Sequence, residues 1–183
     1  MRRMIAGLLI ASLALIAACG SQTGVVSFVL DKDGNYTGFS SLPEDESAEN
    51  LEKAGCVVRQ GIETVANEDV WQDFADSAAQ GKDVGIRIAS FYEDGAEGPY
   101  YTDLFYHDGY YYLFDSTAEG QKCEPFEFML TLKGQFGSPQ RESGVIVLTN
   151  DDTLTFEAVM GAMLSSSLEY IQSVPTHRLV MFL

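Results

Sequence analysis

The chain has 183 residues, 46% hydrophobic and 11% aromatic, which is enough for one domain with a real core and too apolar for a disordered chain. Its 11 Lys and Arg face 27 Asp and Glu, a formal charge of −16; Arg2 and Arg3 lie in a leader, so the remainder holds nine basic and 27 acidic side chains, or −18. Such a surface repels nucleic-acid phosphates and anionic headgroups, which excludes nucleic acid as a partner and excludes electrostatic adhesion to a membrane. Solubility and attraction of cations or basic partners remain as roles for the charge.

The chain opens with Met1-Arg2-Arg3-Met4, then a stretch from Ile5 to Leu15 that is apolar apart from Gly7 and Ser12, then Ile16-Ala17-Ala18-Cys19. Small residues before a cleavage point with a cysteine directly after it form a lipobox. A thiol held at the bilayer surface takes a diacylglyceryl group, and cleavage then frees its amine for a palmitate-type chain. Ile5 to Ala18 is 14 residues, short of the roughly 20 that span a bilayer. Residues 1–18 are therefore read as a lipoprotein signal peptide and Cys19 as the lipid attachment site. Two or three acyl chains, at about 0.8 kcal/mol per buried methylene, anchor a protein durably. The expected location is the extracytoplasmic face of a cell membrane, with the membrane itself a partner through the lipid. Gly20 does not fix which membrane.

Residues 19–39 read as the lipidated cysteine, a short tether and an N-terminal β-hairpin. Val25–Leu30 is short and β-branched, Asp31-Lys32-Asp33-Gly34-Asn35 is a turn, and Tyr36–Phe39 returns. Residues 40–54, polar and acidic, read as a linker or loop with at most a helical turn near Asn50–Lys53. Residues 55–183 read as an α+β domain. Cys56–Arg59 is a short strand. A helix follows with Asn67 as N-cap, Val70, Trp71, Phe74, Ala75 and Ala78 on one face, and Gly81 at its end.

A β-meander comes next. Val84–Tyr92 is one strand, and a Glu93–Gly98 loop follows. Tyr100–His107 and Tyr110–Phe114 flank Asp108-Gly109, a strong hairpin signal that pairs His107 with Tyr110, Tyr106 with Tyr111, Phe105 with Tyr112 and Leu104 with Leu113. Phe126–Leu132 and Gly144–Thr149 are further strands. A second helix opens at Thr155-Phe156-Glu157 and carries Phe156, Val159, Met160, Met163 and Leu164 on one face. Pro175 breaks the chain before a last strand, His177–Leu183. The expected fold is α+β: a mainly antiparallel sheet with the 67–80 and 156–167 helices packed on one face.

Motifs for chemistry are weak. Asp31-x-Asp33-x-Asn35 starts like a calcium loop, but its glycine is at the fourth position and Leu42 stands at the twelfth, so a hairpin turn explains it better. His107 and His177 cannot alone make a zinc site, and Cys56, Cys123 and His107 lack ligand spacing. No metal and no cofactor is expected. Cys56 and Cys123 are candidates for a disulfide, since export permits one, with two buried thiols as the alternative. No nucleophile motif is present. The acid pairs Glu93/Asp94 and Asp151/Asp152 support an envelope-polymer hydrolase only as an alternative, because adjacent loop acids are usually solvated. The densest feature is aromatic. Tyr101, Tyr106, Tyr110, Tyr111 and Tyr112 form a candidate interaction surface suited to an envelope protein or a glycan.

Gly55-Cys56-Val57-Val58, the Asn67–Gly81 helix ending in Gly-Lys, Ile86-Arg87-Ile88, Glu93-Asp94-Gly95, Asp103-Leu104 and the Tyr106/Gly109 turn together resemble an uncharacterised family of small bacterial lipoproteins, mainly Gram-positive. The resemblance is loose and spans about residues 54–115. Cys56 stands where an aspartate is common in that family. The resemblance implies a cell-envelope lipoprotein domain and carries over no functional residue. The expectation is a membrane-anchored, non-enzymatic binding or interaction module.

Overall fold

The computed structural model describes residues 26–42, 46–93 and 98–183. The leader and Cys19 lie outside them, as do residues 43–45 and the 94–97 portion of the acidic loop.

The described chain is α+β, with its strands divided between two sheets. A 3-10 turn, Gly38–Ser41, precedes α1 (Ala48–Lys53), β1 (Val57–Gln60), β2 (Glu63–Ala66) and α2 (Glu68–Ala79). The meander β3 (Val84–Phe91), β4 (Tyr100–His107) and β5 (Tyr110–Asp115) completes the first sheet, in the order β2-β1-β3-β4-β5. The second sheet, β6-β7-β8, is built from β6 (Phe128–Phe136), β7 (Arg141–Thr149) and β8 (His177–Phe182), with α3 (Phe156–Leu164) and α4 (Leu168–Ser173) between the last two strands. All pairings are antiparallel except β1 with β3, where α2 supplies the crossover a parallel pair requires.

Local chemistry accounts for the meander. Asp108 and Gly109 both take positive φ, 52° and 87°, as a type I′ turn demands, and the twist of that turn matches the strands it joins. The resulting register sets His107 opposite Tyr110, Tyr106 opposite Tyr111, Phe105 opposite Tyr112 and Leu104 opposite Leu113, as the two-residue loop predicts. β3 is buried on both faces because it is central. Ile86 and Ile88 face the core shared by the two sheets, with Trp71 and Phe74 of α2 and Ile146, Leu148 and Met181 of the second sheet. Behind the second sheet, Phe156, Val159 and Met160 of α3 cover Val145 and Val147. The two helices expected on one face thus serve different sheet faces: α2 fills the space between the sheets and α3 seals the far side.

The outer face of the first sheet is covered by the segment that the sequence divides into hairpin and linker. Residues 26–29 form no strand; Leu30 bridges Tyr36 and Asn35 bridges Lys122, and the chain then enters the 3-10 turn. Phe28, Tyr36 and Phe39 pack instead on Phe105, Phe114 and Tyr112. α1 is a real helix, capped by Ser47, whose Oγ accepts from the Asn50 amide, and its Leu51 is fully buried against Val58, Ala89 and Tyr101. Residues 46–54 are therefore a layer of the domain rather than a linker. Polar composition hid this because a six-residue helix needs only one apolar anchor.

Two helix ends also differ from expectation. Asn67 precedes α2 but caps nothing with its side chain: it sits in the left-handed region at φ 57° and donates its amide to the Glu52 and Cys56 carbonyls, both at 2.8 Å. Asn tolerates that conformation better than other side chains do, so the residue splices α1, β1 and α2 together. The second helix stops at Leu164, because Ser165 turns extended and the Ser167 hydroxyl caps a separate helix by accepting from the Tyr170 amide. Gly81, at φ 71°, ends α2 as foreseen: its amide reaches the Ala78 carbonyl and the Lys82 amide reaches that of Ser77.

Candidate functional site

The tyrosine hairpin is less open than its sequence promises. Tyr101 is 1% exposed and donates its hydroxyl toward Glu46 Oε1 at 3.4 Å, so it is core and leaves the interaction surface. Tyr106 and Tyr111 form an edge-to-face pair at 4.9 Å, half-buried against the inter-sheet core. Tyr112 packs on Phe28 at 4.9 Å. Of the five, only Tyr110 at the turn is exposed, at 42%. The sequence could not show that residues 26–39 cover the second face.

Cys56 and Cys123 are free thiols in different clusters, Cys56 beside Leu51 and Tyr101, Cys123 beside Phe28 and Tyr112. No disulfide joins them. Burial raises the pKa of both thiols, which makes them poor nucleophiles near neutrality. Asp31 is absorbed by its own turn: Oδ1 accepts from the Asp33 and Asn35 amides at 2.8 and 2.9 Å, and the Asn35 bonds lower its pKa. Asp151 likewise accepts from Thr153, and Asp94 lies outside the described residues. His177 holds the Pro175 carbonyl at 2.8 Å.

Three arrangements went unread in the sequence. The first is buried: Arg87 on β3 and Asp103 on β4 sit opposite each other and pair through two bonds, Nε to Oδ1 and Nη2 to Oδ2, both 2.7 Å. Tyr36 donates to Asp103 Oδ2 at 2.6 Å, Arg87 donates to the Gly38 carbonyl, and the guanidinium lies between the Phe39 and Tyr101 rings. Burial alone would lower the Arg87 pKa, but the hydrogen bonds and charge of Asp103 outweigh it and raise it. This cluster pins the N-terminal layer to the sheet and leaves little of its chemistry free.

The second lies at the hairpin turn, where Asp83, His107 and Asp108 bring ligand-type atoms within 4.8 Å of one another. His107 Nδ1 is 2.7 Å from Asp83 Oδ2, and the Asp108 amide donates to Asp83 Oδ1, so the group is already internally paired.

The third comprises two surface features. Met163, Leu164, Leu168, Tyr170 and Ile171 are all exposed within nine residues, Leu164 at 69% and Leu168 at 66%. Tyr170 lies over Gly161, where an added Cβ would meet its hydroxyl at 2.5 Å, which holds α3 and α4 together as one apolar face. Residues 158–168 carry no charge at all, on a chain of −16. Elsewhere, a cleft of about 460 Å³ opens among Arg59, Ile62, Glu63, Thr64, Glu68, Trp71, Met181 and Leu183.

Among the described residues no helix is long and apolar enough to cross a membrane. Comparison with known proteins gives no match to a family model, a curated protein or a solved structure.

Proposed function

We propose that the chain is an extracytoplasmic lipoprotein, anchored through acylated Cys19, whose folded part is a non-enzymatic module that binds a partner of the cell envelope. The observation that carries the binding role is the exposed apolar side chains of α3 and α4. Soluble proteins rarely leave so many large apolar side chains contiguous without a partner for them, and a patch of this kind rimmed by polar residues marks an interaction site.

The layer order supports a partner other than the protein's own bilayer. Val26 lies in the layer outside the first sheet, while α3 covers the far side of the second. The outward side of α3 is therefore separated from that N-terminal layer by both sheets. A non-enzymatic role is supported by the fate of the reactive groups: Cys56 is buried and Cys123 half-buried, both with raised pKa values, and Asp103 is committed to Arg87 and Tyr36.

The test combines anchoring and contact in the native cell. Cys19→Ser should move the protein out of the membrane fraction. A photo-crosslinking side chain at Leu164 or Leu168 should give one discrete adduct, protein or glycan, that the same group at exposed Lys32 does not give. Unanchored wild-type protein, or identical adducts from all three positions, would overturn the proposal.

A further inference from the structure

The first sheet holds two buried arginines, and only one is neutralised. Arg87 has its carboxylate. Arg59, on β1, is 3% exposed, and among the described residues its hydrogen bonds run only to carbonyls: Nη2 donates to Ile62 at the β1–β2 turn and to Phe182 at the end of β8, the latter at 2.6 Å. Nε has no acceptor. Burial depresses the Arg59 pKa, opposed by the charges of Tyr92 and Glu68. A buried guanidinium hydrogen-bonded to carbonyls and to no carboxylate is costly, and a bound carboxylate would offset that cost.

The surroundings say what else such a carboxylate should carry. Arg59 lines the 460 Å³ cleft, whose apolar wall is Ile62, Trp71, Met181 and Leu183 and whose acidic wall is Glu63 and Glu68. The two glutamates repel a polyanion, which disfavours phosphates and nucleotides. They favour a ligand that brings a cation beside its carboxylate. The apolar wall, which includes Trp71, favours a hydrocarbon or aromatic body.

We infer that the cleft between β1, β2, α2 and the end of β8 binds a small apolar zwitterion, the chemistry of a free amino acid or a short peptide, with its carboxylate toward Arg59, its ammonium toward Glu63 and Glu68, and its side chain against Trp71. This rests on the reading of the folded part as a binding module, but it uses neither the lipid anchor nor the α3–α4 face, so it can fail while those stand.

Trp71 is the only tryptophan in the chain and lines the cleft, so its fluorescence reports occupancy directly. The purified acylated protein in detergent is titrated with leucine, phenylalanine, the Leu-Leu dipeptide, N-acetyl-leucine and leucinamide. Leucine, phenylalanine or the dipeptide should give a saturable change, and the first two against the third separate a free amino acid from a peptide. N-acetyl-leucine, which lacks the ammonium, and leucinamide, which lacks the carboxylate, should bind at least about tenfold more weakly. Glu68→Gln, at an exposed position, should narrow the gap between leucine and N-acetyl-leucine. Arg59→Lys, checked for folding by circular dichroism, should weaken leucine and leave leucinamide unchanged. The absence of a saturable change up to about 10 mM for any zwitterion, or equal binding of leucine and its two derivatives, would overturn the inference.

Discussion

Replacing Asp103 with Asn leaves the shape of the buried Arg87 cluster almost unchanged and removes its charge balance. Asp103 is 0% exposed and receives three hydrogen bonds of 2.6–2.7 Å, two of them from the guanidinium. An asparagine amide keeps one acceptor oxygen but sets its Nδ2 donor against a guanidinium or phenol donor, and Arg87, held between Phe39 and Tyr101, loses its counter-charge. Breaking a buried pair in this way costs about 3–5 kcal/mol, a large share of the 5–15 kcal/mol typical of a domain.

The same reasoning sets a second arm. Tyr36→Phe/Arg87→Met/Asp103→Leu removes every charged or donor group of the cluster together, so it should recover most of the loss, because an apolar replacement of a buried pair is often neutral or better. Urea unfolding followed by Trp71 fluorescence gives both numbers, with an unchanged m-value required for comparison. Asp103→Asn within about 1 kcal/mol of wild type, or a triple variant no more stable than the single, would refute the reasoning.

Further outcomes follow from the same structure. Tyr36 and Tyr101 have pKa values raised above their ordinary 10, Tyr36 by burial and the Asp103 bond, Tyr101 by burial and Glu46. The folded state therefore keeps protons that the unfolded chain releases, and stability should be full below pH 10 and fall above it, by at most about 1.4 kcal/mol per pH unit per group; Tyr36→Phe should flatten that slope in alkaline urea titrations. Leu51→Ala should cost about 2–5 kcal/mol in the same assay if α1 is part of the core, and nearly nothing if residues 40–54 were a linker. Gly134→Ala places a Cβ 2.3 Å from the Phe156 ring and should lower stability by about 1–3 kcal/mol, with the loss appearing as earlier thermal unfolding. Iodoacetamide should label Cys123 in the native protein and Cys56 only after unfolding, and electrophoretic mobility should be the same with and without reductant.

The parts of the fold legible in the sequence are those set by neighbours along the chain. Asp108-Gly109 dictates its own turn and thereby four cross-strand pairs. The α2 stripe and Gly81 needed nothing distant. What failed was whatever depends on long-range partners. Val25–Leu30 has strand composition, yet residues 26–29 find no strand to join and become a covering layer. Asn67 has a capping side chain, but the Glu52 and Cys56 carbonyls claim it. The tyrosines on both hairpin faces were plain, while the cover that buries one face was not. Arg87 and Asp103 are 16 residues apart and meet only because β3 and β4 pair in one register; a lone Asp inside an apolar strand was the signal for that site. Arg59 in Val57-Val58-Arg59 was a similar signal.

The most direct test of the anchored-module account is the mass of the N-terminal peptide from protein recovered in the membrane fraction of its native cell. The account predicts a mature chain beginning at Cys19 and carrying diacylglyceryl mass on that residue. A chain that keeps residues 1–18, or an unmodified Cys19 in the cytosol, would contradict it.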